Sequence, residues 1–142
     1  MSSTTVTDTA STNGTGHAPD EHLYSRAMRG AAGRPEVGPS ARTLGVRPGI
    51  DVEVIEGAVA PGGGGLSVAP GSPELPPTHR RPIDLGGSGR DPVWSIAHAA
   101  IGPDLVCRRD SASHALVEPA RRMKLGEYQA AIAATAPSWS KI

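Results

Sequence analysis

Glycine and proline interrupt this chain so often that only short regular elements fit between them. The sequence holds 18 Gly and 14 Pro among 142 residues, a share close to that of loop-rich or disordered chains. Two interruptions are long: a glycine run at residues 61–65 and a segment rich in Pro, Gly and Arg at residues 70–89. A loop as long as the second is either functional or disordered. We therefore expect a small domain built from short elements.

The apolar side chains available for a core are few. The chain has no Phe, two Trp and two Tyr, so Val, Ile, Leu and Ala must supply most of the buried area. Its 142 residues suffice for one domain. Residues 1–20 are rich in Ser, Thr, Gly and Asn and predict a disordered tail, which leaves residues 21–142 as a single domain. A thin core gives marginal stability, so a bound ligand or partner would stabilise the fold appreciably.

Charge and hydropathy argue against several classes of protein. Lys and Arg number 14, as do Asp and Glu, so the net charge at pH 7 is zero. A dedicated nucleic-acid binder would show a basic excess and stacking aromatics, so no specific nucleic-acid partner is expected. No apolar run approaches the ~20 residues needed to span a bilayer, and no membrane partner is expected. The N-terminal segment lacks the basic and apolar regions of a conventional signal peptide, which predicts cytoplasmic synthesis.

Cysteine and histidine usage argues against a disulfide and against a metal site. Cys107 is the only cysteine in the chain, so an internal disulfide and a Cys-rich zinc site are both impossible. His79, His98 and His114 do not have the spacing to Cys107 that zinc ligands show. No metal is therefore predicted.

Five short runs have the pattern of strands, and one longer run has that of a helix. The strand candidates are residues 50–55, 66–69, 93–96, 105–108 and 114–118. Residues 21–32 favour a short helix or an irregular strand. Leu125, Tyr128, Ile132 and Thr135 share one face of a predicted helix that ends before Pro137, and we expect Trp139 to fold back as an anchor. Several strands with one or two helices predict an α+β domain.

The glycine run and the paired arginines each have two interpretations. Backbone amides near glycine can cradle a phosphate, but Leu66-Ser67 follows where a P-loop needs Lys-Ser or Lys-Thr. No helix that would complete a Rossmann motif follows either, so a flexible hairpin connection is the alternative. Arginine forks suit phosphates or carboxylates, whereas dispersed pairs balanced by acids are usually solvated surface. These pairs are Arg80-Arg81, Arg108-Arg109 and Arg121-Arg122.

The last strand candidate carries two polar side chains with catalytic potential. His114 and Glu118 are four residues apart, so they point to the same face of a strand and start about 13 Å apart. They are too far apart to grip one small group, but they can line one elongated cleft. The alternative is that His114 caps a turn and Glu118 is a solvated residue before Pro119.

The turn before this strand contains the residue types of a hydrolytic triad. Asp110, Ser111, Ser113 and His114 follow one another within five residues. The partners in such triads normally converge from distant segments, and neighbours on a tight turn are not expected to orient one another. No triad is predicted here.

Three motifs in order resemble the type VI secretion effector toxins whose fold is related to ADP-ribosyltransferases. They are Gly-Gly-x-Ser-Val at residues 64–68, Pro-Asp-Leu followed by Asp-Ser at residues 103–111, and His-x-x-x-x-Pro-Ala-x-x-Met at residues 114–123. An early Leu-Tyr-Arg of that family falls at Leu23-Tyr24, but Ser25 intervenes before Arg26. The resemblance implies a small split sheet, antiparallel or mixed, with one or two helices over residues 21–142.

The same resemblance implies a cleft for NAD, which is the substrate of this chemistry. Glu118 would stabilise the positive charge that develops on the ribose when the glycosidic bond breaks. His114 would hydrogen-bond a ribose, Ser67 would brace the sheet behind the nicotinamide, and Arg26 would take the pyrophosphate. Ser67, His114 and Glu118 would then line one cleft. Tyr24 and Gly65 are further candidates for contacts with the dinucleotide.

The resemblance therefore implies a toxin that binds NAD and transfers or hydrolyses ADP-ribose to poison a target cell. The enzymatic step is left open, because members of this family do not all keep the catalytic glutamate. The alternative from another class is a small, non-enzymatic interaction module. A candidate partner is an immunity protein, the target macromolecule is unknown, and any export would proceed without a signal peptide.

Overall fold

Short antiparallel strands dominate the fold. The computed structural model describes residues 23–70 and 76–142, and the predicted tail at residues 1–20 lies outside them. Within the described residues there are ten strands and one α-helix. They are β1 (Leu23–Ala27), β2 (Gly30–Ala31), β3 (Arg34–Pro35), β4 (Ala58–Val59), β5 (Leu66–Pro70), β6 (Val93–Ala97), β7 (Leu105–Arg109), β8 (Ala115–Pro119), β9 (Met123–Lys124), α1 (Leu125–Ala133) and β10 (Ser140–Lys141). Single turns of 3-10 helix lie at Ile83–Leu85, His98–Ala100 and Ala136–Ser138.

Six of the strands form one sheet in the order β10-β6-β1-β5-β8-β7. Every neighbouring pair in it is antiparallel. Strands β2 and β3 form a separate pair, as do β4 and β9. A mostly antiparallel sheet with one helix confirms the predicted α+β class.

The sheet splits between β1 and β5. Strand β1 pairs with β6 along all five of its residues, but with β5 only at Tyr24↔Pro70 and Ser25↔Ala69. Beyond these pairs the Arg26 side chain connects the two strands, since its Nη1 donates to the Ser67 carbonyl at 2.9 Å. The split sheet that the resemblance implied is therefore present.

Helix α1 covers one face of the sheet and forms the core with it. Its two buried side chains, Tyr128 and Ile132, pack with Leu66 of β5 and Val117 of β8. The Tyr128 hydroxyl donates to the Val117 carbonyl at 2.5 Å and accepts from the Leu66 amide at 3.3 Å. A Cβ at residue 65 would collide with both the Val117 carbonyl and the Tyr128 hydroxyl, so glycine is required there.

Most of the sequence-based elements are confirmed. The candidates at residues 66–69, 93–96 and 105–108 are strands, and that at 114–118 is a strand from Ala115. Of the segment at residues 21–32, the described residues 23–32 contain β1 and β2 and no helix. The predicted helix is present as α1. Trp139 folds back as expected: it is 4% exposed and its Nε1 donates to Thr135 Oγ1 at 2.9 Å. No helix in the described parts of the chain is long and apolar enough to cross a bilayer.

The strand predicted at residues 50–55 is wrong. The segment turns instead, and Ile50 is 71% exposed. Gly49 takes a positive φ of 78°, and the Asp51 carboxylate accepts from both the backbone amide and the guanidinium of Arg47. The alternation of apolar and acidic residues resembled a strand, but the acidic side chain at position 51 closes a local turn.

Candidate active-site groove

A groove of about 320 Å³ lies where β1 and β5 separate. Both strands contribute the small side chains of alternate residues to it, and the segment at residues 76–80 and the β7–β8 hairpin supply the rest. The groove residues are Ser25, Ala27, Ser67 and Ala69 from the strands, Pro76, Pro77, His79 and Arg80 from the segment, and Ser113 and His114 from the hairpin. The backbone at Arg26 and Val68 also borders it. The groove therefore joins segments that are distant in sequence.

His114 connects Ser67 to Asp110 at the edge of this groove. His114 Nε2 lies 3.2 Å from Ser67 Oγ, and His114 Nδ1 lies 2.8 and 3.0 Å from the two carboxylate oxygens of Asp110. Asp110 and His114 face each other across the hairpin, where the Asp110 amide donates to the His114 carbonyl at 3.1 Å. Ser67 and His114 thus meet as predicted. The expectation that neighbours on this turn cannot orient one another is wrong, because the hairpin places positions 110 and 114 side by side.

The groove carries positive charge. Arg80 is held there by two backbone carbonyls, that of Ala41 at 2.5 Å and that of Ala27 at 3.4 Å. Burial, together with the nearby Arg80 charge, lowers the pKa of Arg26 to about 10, which still leaves Arg26 a cation at neutral pH. No Asp or Glu is among the groove residues in the part of the chain that the structure describes. An anionic group is therefore the ligand that the groove favours.

Ser25 offers an unused hydrogen-bonding group at the same place. Its side chain is buried, and its Oγ has no hydrogen-bond partner among residues 23–70 and 76–142. A buried hydroxyl is almost always hydrogen-bonded in a native protein. Because Ser25 lines the groove, a polar group of a ligand is a suitable partner for it.

Glu118 lies outside the groove, although it shares a strand face with His114. The residue is 1% exposed. One carboxylate oxygen accepts from the Gly62 amide at 3.1 Å and the other from the Arg108 guanidinium at 2.5 Å. Glu118 is therefore neither a groove residue with Ser67 and His114, as predicted, nor a solvated one, as the alternative held. An ion pair with the half-exposed Arg108 holds its buried carboxylate.

Arg26 is engaged by the protein itself. All three guanidinium nitrogens donate to backbone carbonyls, and the residue is 9% exposed. The acceptors are the carbonyls of Ser40, Ala41, Thr43 and Ser67, at 2.9 to 3.4 Å. The pyrophosphate contact expected of Arg26 is thus replaced in this structure by contacts that join β1 to β5 and to residues 40–43.

Tyr24 and Gly65 do not line the groove either. Tyr24 alternates with Ser25 along β1, and its hydroxyl lies 2.9 Å from His98 Nδ1. Burial and a hydrogen bond to Cys107 raise the pKa of Tyr24 to about 12. Gly65 packs its backbone against β8 and Tyr128. In the described residues no group of three or more His, Cys, Asp and Glu side chains could hold a metal ion.

The sequence-based interpretation missed Arg80 in the groove and Asp110 beside the groove residue His114. Arg80 was placed with the solvated arginine pairs, although it stands in a long loop of the kind that is often functional. Asp110 belongs to the turn in which no triad was predicted. Its signal is spacing: positions 110 and 114 flank a three-residue turn between two strands, so their side chains are cross-strand neighbours.

An α+β domain with a split, antiparallel sheet and a polar groove at the split is consistent with an ADP-ribosyltransferase-like toxin domain. The family model of the Tse2 ADP-ribosyltransferase toxin matches residues 25–140, and the chain belongs to that family. No curated protein and no solved structure matches the chain. The match includes every groove residue and also the ion pair of Arg108 and Glu118.

Proposed function

We propose that this toxin domain binds NAD in the groove and transfers or hydrolyses its ADP-ribose, and so poisons a target cell. The observation that carries the proposal is the meeting of Ser67 and His114 in a cationic groove at the split of the sheet. The family match supports the same chemistry, since the family is one of ADP-ribosyltransferases.

The groove residues divide into two groups by their chemistry. Arg80 and the Ser25 hydroxyl suit the pyrophosphate, since one supplies a charge and the other a free hydrogen-bonding group. Ser67 and His114 suit the nicotinamide ribose, whose hydroxyls can donate and accept. Bond cleavage at that ribose develops positive charge, and preorganised polar groups lower its energy.

Glu118 is the second candidate for stabilising the ribose charge. In this structure its carboxylate is paired with Arg108, so it reaches a ribose only if Arg108 releases it. Glu118→Gln keeps the size of the side chain and removes its charge. The variant therefore tests whether the Glu118 carboxylate stabilises the ribose. If Glu118 acts on the ribose, the variant binds NAD but loses turnover by orders of magnitude.

A binding experiment tests the groove directly. NAD should raise the melting temperature of the domain, because a ligand that binds only the folded state stabilises it. Arg80→Gln should weaken NAD binding measured by calorimetry. Arg34→Gln, at an exposed arginine of β3, is the matched control and should leave the affinity unchanged. No effect of NAD on the melting temperature would instead favour the non-enzymatic interaction module.

Expression in bacteria tests the toxic activity. Induction of the wild-type domain should lower viability, and NAD should fall or ADP-ribosylated products should appear. Ser67→Ala should relieve both effects. We also propose an immunity protein as a partner in the producing cell, together with export that uses no signal peptide. Rescue of viability by a co-expressed neighbouring open reading frame would identify that partner, whereas toxicity that persists with every neighbour would argue against it.

A further inference from the structure

The hairpin supplies the groove with an oriented histidine. We propose that His114 is the general base for a hydroxyl acceptor, either water or an alcohol group, and that Asp110 is its positioning residue. This inference rests on the proposed NAD chemistry and names the class of acceptor that the same site uses.

The contacts of the imidazole define its roles. Both carboxylate oxygens of Asp110 lie within 3.0 Å of Nδ1, and a carboxylate accepts hydrogen bonds, so Nδ1 carries the proton. Nε2 then has a free lone pair directed at the Ser67 hydroxyl, 3.2 Å away. A hydroxyl is therefore already held within proton-transfer distance of Nε2. The acceptor hydroxyl would take a similar position next to Ser67.

Other proton acceptors near the groove are less suited to this role. No carboxylate lines the groove within the described ranges, and Glu118 is engaged by Arg108 and the Gly62 amide. His79 is the other imidazole in the groove, but it has no hydrogen-bond partner in the described residues that would orient it. Among residues 23–70 and 76–142, His114 is the imidazole that combines a place in the groove with a carboxylate behind it.

Transfer of ADP-ribose to the acceptor hydroxyl requires only these groups and NAD. The bond between the ribose C1′ and the nicotinamide nitrogen breaks, and its electron pair neutralises the nicotinamide ring. The acceptor oxygen forms a bond to C1′ while its proton passes to His114 Nε2. Asp110 stabilises the resulting imidazolium, which returns the proton to solvent. A neutral hydroxyl needs this base, whereas an anionic nucleophile does not.

Two substitutions separate the base from its positioning residue. His114→Asn retains a side-chain donor toward Asp110 but has no Nε2, and Asp110→Asn keeps the size of the carboxylate without its charge. We expect kcat for nicotinamide release to fall about 10²–10⁴-fold in His114→Asn, a larger change than the loss of NAD affinity from the missing ribose contact. Asp110→Asn should lower kcat by a smaller factor at unchanged KM. Circular dichroism confirms folding, and His114→Gln serves as a second variant if His114→Asn does not fold.

Azide provides the readout that a structural role would not change. As an anion it needs no base, so azide should restore nicotinamide release in His114→Asn and yield an ADP-ribosyl azide. Full hydrolysis by His114→Asn, or NAD-bound His114→Asn that azide does not rescue, would overturn the inference and leave the proposed function intact. A wild-type domain that does not bind NAD would overturn both.

Discussion

The two faces of the central sheet differ in what holds them together. On one face Leu66 and Val117 pack against α1, and the tyrosine hydroxyl of the helix joins their strands. On the other face the next residues along, Ser67 and Glu118, are held by hydrogen bonds and an ion pair. The apolar face excludes water, whereas the polar face keeps a groove open. Stability and proposed chemistry are thus divided between alternate residues of the same strands.

Glu118 is the exception on the polar face. It is buried as deeply as the apolar residues opposite, while His114 at the other end of the same strand face keeps a side chain that is 42% exposed. Burying a carboxylate is unfavourable unless a partner compensates for it. The polar face therefore has a rigid end at Glu118 and an accessible end at His114.

The largest effect on stability should come from the apolar face. Ile132→Ala removes a fully buried side chain of α1 and leaves a cavity against the sheet. We expect the free energy of unfolding to fall by about 2–5 kcal/mol, measured by urea denaturation. A loss below about 0.5 kcal/mol, the level of a surface substitution, would show that the two faces do not differ as described.

The ion pair between buried Glu118 and half-exposed Arg108 should give an asymmetric result. Arg108→Met leaves the Glu118 carboxylate buried with only the Gly62 amide, whereas Glu118→Gln leaves Arg108 half exposed to water. The melting temperature should therefore fall more in Arg108→Met than in Glu118→Gln. Arg109→Met, at the exposed neighbouring arginine, is the control and should have little effect. Equal losses from the first two variants would mean that Glu118 is well solvated.

The two tyrosines should ionise at a higher pH than free tyrosine, because both lie on the apolar face of the sheet. Burial raises the pKa of Tyr24 to about 12, and it raises that of Tyr128 as well. The folded domain should therefore show no phenolate absorbance at pH 10, where the unfolded chain ionises. Since the folded state keeps these protons, stability should decrease as the pH rises from about 10 toward 12. A phenolate signal from the folded domain near pH 10 would contradict this burial.

The smallest effect on stability should come from the accessible end of the polar face. Ser67→Ala and His114→Asn change exposed or half-exposed side chains. Each should alter the free energy of unfolding by less than about 0.5 kcal/mol, although both are expected to impair function. A large loss of the free energy of unfolding in either variant would show that the contact between Ser67 and His114 stabilises the fold.

The sequence predicted the apolar face better than the polar one. Alternation of Leu66 with Val68 follows the period of a strand, and the spacing of Tyr128 and Ile132 follows that of a helix. Nothing local shows that Glu118 meets Arg108 and the Gly62 amide, because burial of a charge depends on chain segments that are distant in sequence. The contact between Ser67 and His114 was inferred from the family resemblance.

At residues 50–55 and 110–114 the sequence pattern likewise failed to predict the structure, in both cases because of a turn. Asp51 and Asp110 are polar residues beside apolar runs, and each closes or stabilises a turn through its side chain. In the first case the turn removed a strand that the alternation predicted. At residues 110–114 the turn places Asp110 beside His114, although residues so close in sequence were not expected to orient one another. Turn geometry, rather than composition, determines both the missing strand and the contact between Asp110 and His114.

The carbonyls gathered around Arg26 have a consequence for ligand recognition. Where β1 and β5 part, the Arg26 guanidinium of β1 binds the Ser67 carbonyl of β5 together with carbonyls of residues 40–43. One guanidinium thus spans the gap between the two strands and joins both of them to residues 40–43. Lysine, with a point charge in place of a planar fork, cannot span the same oxygens. The width of the groove is in this sense set by one side chain, so Arg26 would govern which molecules enter without touching them.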